Sequence, residues 1–244
     1  MTNIATQTLA SIVTNNSQAV PVLEKYNLDF CCKGKRTLAQ ACEEKGLFVD
    51  LISLEIESQT ALRQAGHMPF EEMTCEQLIN YILIHHHFYV KQSMPLITGH
   101  LEKVANKHGE KFPFMKEVFH LFSELQNDMT HHMQKEEMIL FPRIKQMEQL
   151  IAINKMAEID IAHIQGPVSV LMNEHDKAGE LLYQIRELTK SYEVPADACT
   201  TFRVSLAELK EYEEDLHKHV HLENNHLFPK AIQMMEEINP VTVN

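Results

Sequence analysis

Two stretches of the chain carry the same arrangement of metal-ligating side chains: His132-Met-Gln-Lys-Glu136-Glu-Met-Ile-Leu-Phe141-Pro142 and His219-Val-His-Leu-Glu223-Asn-Asn-His-Leu-Phe228-Pro229. Both set a glutamate four residues after a histidine, and both close on Leu-Phe-Pro. On a helix, positions i and i+4 lie on one face about 6 Å apart, so each pair presents an imidazole beside a carboxylate. Apolar residues give the direction of that face: Leu125 lies seven before His132, while Leu209, Tyr212 and Leu216 lie ten, seven and three before His219. Both pairs therefore face a core, where carboxylates without a cation are strongly unfavourable. A bound metal resolves that conflict.

A third helix repeats the design with one ligand, His175, framed by Val168, Leu171, Ala178, Leu182 and Ile185. On its own such a histidine reads as a satisfied core residue, and one His-x3-Glu reads as a surface pair. The repetition changes that reading. A fourth contribution comes from His85-His86-His87, which cannot all face inward together. His132 and His219 are separated by 87 positions, and His87 and His175 by 88. Choosing His87 makes the chain two similar helical hairpins, although the triplet itself leaves His86 open. Four imidazoles and two carboxylates, with no thiolate among them, suit iron or manganese in octahedral geometry better than tetrahedral zinc.

The elements that must position these residues follow from composition and breaks. Glycine is only 7 of 244 residues, the hydrophobic fraction is 44 %, and no strand-like alternation competes with the helical spacing. This predicts an all-α chain: a four-helix bundle preceded by a small helical module. Helices are expected at about 75–108, 114–147, 164–191 and 196–236, broken at Gly109–Pro113 and at Glu193-Val194-Pro195, with Gly166-Pro167 opening the third. Residues 148–163 would form the crossover. The module is expected over 1–58, a linker over 59–73, the bundle over 74–238 and a tail over 239–244. Within the module, Thr37-Leu-Ala-Gln40 has capping-box spacing, Gly46 follows Lys45 as a helix stop, Ser17 can cap a short helix containing Pro21, and a further helix should run from about Leu51 to Gly66. Met133, Met138 and Met172 are expected to fill the core. His67, His100, His108, His120, His131, His163, His217, His221 and His226 are expected at surface or rim.

A net charge of −12 leaves no basic footprint for nucleic acid or anionic lipid. There is no signal-like N-terminus and no apolar run long enough to span a membrane, so a cytoplasmic location is expected. Five cysteines, an odd number in a chain of this length, read as reduced thiols. The adjacent pair Cys31-Cys32 cannot readily form an unstrained mutual disulfide, and Lys33, Lys35, Arg36 and the amides at the Thr37 helix start would favour thiolate. The alternative is two small buried hydrophobes.

Taken together, the Asp29-Phe-Cys-Cys-Lys-Gly-Lys-Arg-Thr-Leu38 element, both His-x3-Glu segments, Asn173-Glu-His175-Asp-x-Ala-Gly-Glu180 and Ala198-Cys-Thr-Thr201 resemble the bacterial repair-of-iron-centres family, of YtfE/ScdA type, over about residues 15–235. The resemblance implies a hemerythrin-like bundle holding two irons on His87, His132, Glu136, His175, His219 and Glu223. Glu136 and Glu223 would bridge, together with an oxo or hydroxo group. His87 matches through its His-x7-Pro spacing to Pro95. Oxygen-carrying hemerythrins have a further histidine and an aspartate bridge, from which this chain departs. Two octahedral ions offer about twelve positions, of which these groups fill about ten, so about one per iron stays open to nitric oxide or dioxygen.

The implied function is restoration of iron–sulfur clusters damaged by nitrosative and oxidative stress, by supplying iron or removing nitric oxide. The implied partners are the damaged iron–sulfur proteins, and a homodimer is compatible with them. The same centre could instead serve a nitric oxide reductase-type oxidoreductase or a redox or nitric oxide sensor. Cys31 and Cys32 would then be redox or iron-transfer thiols on a module that moves against the bundle and exchanges electrons, nitric oxide or iron with the centre.

Overall fold

The structure, a computed structural model, describes residues 4–31, 33–62, 70–155 and 162–238. Cys32, His67, the Gly66 stop and the 239–244 tail lie outside the described residues, as does the side chain of His163. Among the described residues every element of regular structure is helical, apart from one bridge between Thr8 and Thr37. The expected all-α class is what the fold shows.

The module consists of α1 (Leu9–Asn15), α2 (Val20–Lys25), α3 (Leu38–Glu44) and α4 (Val49–Leu62). Thr37 caps α3 through the expected box, its hydroxyl accepting from the Gln40 amide and the Gln40 side chain accepting from the Thr37 amide. Gly46 follows at φ +63°, the left-handed conformation that ends such a helix without a Cβ penalty. Thr8 supplies a side-chain cap on α1. The side chain of Ser17, expected as a cap, lies outside the described residues; its backbone opens a short 3-10 turn, and α2 follows with Ala19 at its N-cap and Pro21 in its first turn. The helix expected from Leu51 begins at Val49 and runs to Leu62, past the boundary expected at 58.

The bundle has four rods. The first joins α5 (Cys75–Ile82) to α6 (Phe88–His108), and the second joins α7 (Phe114–Lys135) to α8 (Phe141–Ala152). The third is α9 (Ala162–Leu188), and the fourth joins α10 (Thr200–Leu222) to α11 (Phe228–Ile238). Rods touch in the order α6, α7, α9, α11 and back through α10 to α6. Gly166-Pro167 does not open the third rod, because the helix is already formed at Ala162. Pro167 lies inside the helix, beyond the four amides that have no intrahelical acceptor, and so gives up one hydrogen bond of the ladder.

Buried apolar side chains form two clusters, and every rod passes from one to the other at the same level. Along the first rod the change falls between Ile82 and Val90, along the second between Met133 and Leu140, along the third between Leu171 and Ala178, and along the fourth between Val220 and Leu222. The layer between the clusters is where the histidines and glutamates lie. The module shares the lower cluster, its Leu9, Phe30 and Ile56 packing continuously with the bundle residues. Met133 fills core as expected, whereas Met138 is 78 % exposed, on the outside of the turn that follows Glu136.

One polar group sits in the lower cluster without metal chemistry. Arg186 on α9 donates from Nε to both oxygens of Glu213 on α10 at 3.1 and 3.0 Å, with Nη2 2.6 Å from Oε1, and Tyr192 Oη donates to Oε2 at 2.9 Å. Tyr192 reaches inward because Lys190, Ser191 and Tyr192 are all left-handed, at φ 49°, 58° and 65°. Such conformations cost about 1–2 kcal/mol per non-glycine residue, which the buried network offsets. Replacing Glu213 by Leu strands the guanidinium and should cost about 3 kcal/mol or more. For a chain of this size that is a fall in Tm of about 6–12 °C by calorimetry, and Arg186→Met in the same chain should recover most of it.

Candidate metal centre

Three of the four rods widen into a π turn at the polar layer: Leu83–His87, Glu136–Leu140 and Glu223–Leu227. In each, a phenylalanine amide closes the turn on the carbonyl five residues back, Phe88 on Leu83, Phe141 on Glu136 and Phe228 on Glu223. Pro142 and Pro229 follow two of these phenylalanines. Proline lacks an amide and its ring crowds the carbonyl four residues back, and a widened turn relieves both conflicts. Tyr89 stands at that place in the first rod, so the proline explanation covers only the other two.

The extra residue changes which side chains share a face. Across a π turn the one-turn neighbour is five residues away rather than four, so His87 lies over Ile82, Phe141 over Glu136 and Phe228 over Glu223. The Phe141 ring stacks on His87 at 5.6 Å between centroids, and Phe228 stacks on His175 at 6.0 Å. The Leu-Phe-Pro ending is thus part of the centre: proline accompanies the wide turn, and phenylalanine walls in an imidazole from another rod.

All six expected residues meet in the layer, and all are buried. They form two groups of four whose ligand atoms lie within 4.8 Å of one another: His87, Glu136, His219 and Glu223, and His132, Glu136, His175 and Glu223. In the first, His87 Nε2 faces His219 Nε2 at 3.1 Å, with Glu136 Oε2 at 3.3 Å and Glu223 Oε1 at 3.7 Å from His87. In the second, His132 Nε2 faces His175 Nε2 at 2.9 Å, Glu136 Oε1 is 3.3 Å from His132, and Glu223 Oε2 is 3.1 Å from His175. Each glutamate therefore turns one oxygen to each group.

Neither oxygen of Glu136 accepts a hydrogen bond among the described residues, and neither does Glu223 Oε2. Buried carboxylates in that state need nearby positive charge. The protein alone supplies it by protonating imidazoles. Burial would lower the His87 and His132 values, but the Glu136 and Glu223 carboxylates outweigh it and hold them at about 10 and about 9. Against their burial, His132 and His87 keep Glu136 ionised, and His219, His175 and His87 keep Glu223 ionised. Two multivalent cations would meet the same demand with nitrogen and oxygen donors already converged, so the residues fit a pair of iron ions.

Outside the layer, three imidazoles are anchored through Nδ1. His87 meets Glu137 Oε1 at 2.7 Å, where Lys91 also donates, and His132 meets Glu174 Oε2 at 3.0 Å, where Lys135 also donates. His175 donates to Asn224 Oδ1 at 2.9 Å. His86 points elsewhere, its Nδ1 3.0 Å from Asp215 Oδ1 and its ring parallel to His219 at 5.7 Å. Glu137 and Asn224 directly follow Glu136 and Glu223, which is the signal in the sequence that could have found them.

Several histidines expected at the surface are not there. His221 and His226 are buried, with the module's Phe30 edge-on to His221 at 5.7 Å and Phe70, just ahead of the bundle, at 6.0 Å from His226. Cys31 is buried too, and its thiol donates to Asp29 Oδ1 at 3.2 Å. That partner is a carboxylate, where the sequence predicts lysine and arginine beside the thiol. Arg36 pairs instead with Glu44, and Lys33 lies 5.2 Å over the Tyr183 ring. The loop here is wound closely, for a Cβ at Gly34 would lie 2.1 Å from the Phe30 carbonyl oxygen.

Comparison with known proteins agrees with this geometry. The family described as Hemerythrin HHE cation binding domain matches residues 78–231, and a Domain of Unknown function (DUF542) matches residues 5–60. The iron-sulfur cluster repair protein YtfE of Cronobacter sakazakii is 35 % identical over 228 residues, covering 93 % of this chain and 96 % of that protein. Its counterparts in Escherichia coli O1:K1 and Enterobacter sp. strain 638 are each 34 % identical over 230 residues, with the same coverage. The chain belongs to the hemerythrin HHE family, in its YtfE-type branch. As in that family, the bundle is built to bind iron, and no helix among the described residues is long and apolar enough to cross a membrane.

The choice within the histidine triplet can be checked by iron quantitation. His87→Ala should lose at least one iron per chain, whereas His86→Ala should retain both. Loss with His86→Ala alone would move the ligand by one residue and contradict the wide turn.

Proposed function

We propose that the chain is a di-iron protein that restores damaged iron–sulfur clusters by supplying iron. The observation that carries this reading is the division of Glu136 and Glu223, each giving one oxygen to each of two histidine pairs. A single-metal site has no use for that arrangement, and two ions sharing both carboxylates do. His87 and His219 would hold one iron and His132 and His175 the other, with an oxo or hydroxo group as the third bridge. Bound there, the irons supply redox-active Lewis acids with open positions for nitric oxide or dioxygen. Six side chains would leave such ions incompletely saturated, a donor set compatible with release to an acceptor. The relatives bear the name iron-sulfur cluster repair protein, and damaged iron–sulfur proteins of nitrosative and oxidative stress are the acceptors proposed here.

The protein's own residues do three things in this scheme. The two glutamates hold both ions in one place, Phe141 and Phe228 wall the imidazoles in, and Glu137 and Glu174 carry charge from the half-exposed rim to the ligands. Cys31 and Cys32 would act as transfer thiols once Asp29 gives up its hydrogen bond. The protein loaded with isotopically labelled iron should contain two irons per chain, show oxo-to-iron absorption, and pass label into a nitric oxide-damaged [4Fe–4S] protein as that protein regains activity. Stoichiometric zinc in the purified protein, or reactivation with no label transferred, would sink the proposal. Cys31→Ala/Cys32→Ala should slow reactivation without lowering iron content.

A further inference from the structure

We infer that the two iron positions are unequal, and that the one held by His87 and His219 empties first. The inference rests on the di-iron reading above and concerns which half of it is labile. The two hairpins repeat with an offset of 87 or 88, so each residue of the centre has a counterpart: His87 with His175, His132 with His219, Glu136 with Glu223, and Glu137 with Asn224. The repeat exchanges the two histidine pairs. It does not reproduce the groups behind them.

At the position of His132 and His175 both outer nitrogens are engaged, by Glu174 and by Asn224. At the position of His87 and His219 only His87 is engaged, by Glu137. His219 Nδ1 is buried with no hydrogen-bond partner among the described residues. The repeat shows what is missing. Glu174 anchors His132, the counterpart of Glu174 is residue 86, and residue 86 is a histidine, whose Nδ1 meets Asp215 and whose ring lies flat beside His219 at an interplanar angle of 8°. A parallel ring at 5.7 Å packs the ligand but accepts no proton from it.

An outer hydrogen bond fixes the tautomer and orientation of a ligating imidazole and raises its basicity, and its loss weakens metal affinity by about 10–100-fold. His219 is the one ligand of the four without that support. His86 is thus a positioning residue, and its identity sets the lability of one iron.

The test uses the full chain loaded with two ferrous ions under anaerobic conditions and mixed with an excess of a coloured ferrous chelator. One iron should leave in a fast phase and one in a slow phase, with rate constants differing by about 10–100-fold. His86→Glu restores the carboxylate that the repeat predicts, so it should slow the fast phase and leave the slow one unchanged. Asn224→Ala removes an anchor at the other position and should speed only the slow phase. It needs no new buried charge, and so reports even if His86→Glu fails to fold. Two irons leaving together, or Asn224→Ala speeding the fast phase alone, would overturn the inference while leaving the di-iron reading intact. A chain that takes up fewer than two irons overturns both, and the loading step shows this before release is followed.

Discussion

The structure turns on two carboxylates at the centre of an apolar bundle. Glu136 and Glu223 are both fully buried, and leaving either without positive charge nearby would cost several kcal/mol. Every other feature of the layer meets that demand. Four imidazoles converge on the glutamates, one from each rod, and two of them, His87 and His132, are held protonated when only protons are available. Iron satisfies the same field with fewer and stronger contacts, so the bundle is better matched to its metal than to its absence.

That central layer also dictates the packing. The four rods carry apolar residues above and below it in separate clusters, and three of them change helical pitch at the layer itself. A π turn adds one residue to one turn, which rotates everything beyond it by about 100° relative to a straight α-helix. The rods can therefore face core on both sides of the layer while presenting a ligand within it. Replacing the wide turn by regular helix would force a choice between facing the ligands inward and facing the next apolar turn inward.

How much of this was legible follows from where each signal resides. His132 and His219 end regular helix and Glu136 and Glu223 open the wide turns that follow, so the i, i+4 spacing of each pair is that of a regular helix and periodicity located them directly. His87 lies at the end of its turn. Counting four from Ile82 gives His86, counting five gives His87, and only the structure shows which count applies. The apolar residues around His175 follow unbroken α-helical spacing, and that face read correctly along its length. His221 and His226 look like surface residues from the bundle sequence alone, because the rings that meet them, Phe30 and Phe70, stand more than 150 residues upstream. Cys31 fails for a similar reason: the neighbouring charges in sequence are basic, yet the group its thiol meets is Asp29, two residues back, and the arginine turns to Glu44.

Duplicated hairpins make the comparison of the two halves informative, because symmetry supplies the reference that a single site lacks. The ligands themselves obey the repeat, as do the phenylalanines that stack on His87 and His175. The departures lie one shell out, where Glu137 faces Asn224 as its counterpart and His86 faces Glu174. On the di-iron reading proposed above, the two shared carboxylates would serve both ions at once and could not be altered to weaken one ion alone. Groups behind individual imidazoles could. If the protein holds iron and also parts with it, those outer positions are residues able to separate the two ions in affinity, and it is there that this chain breaks its own symmetry.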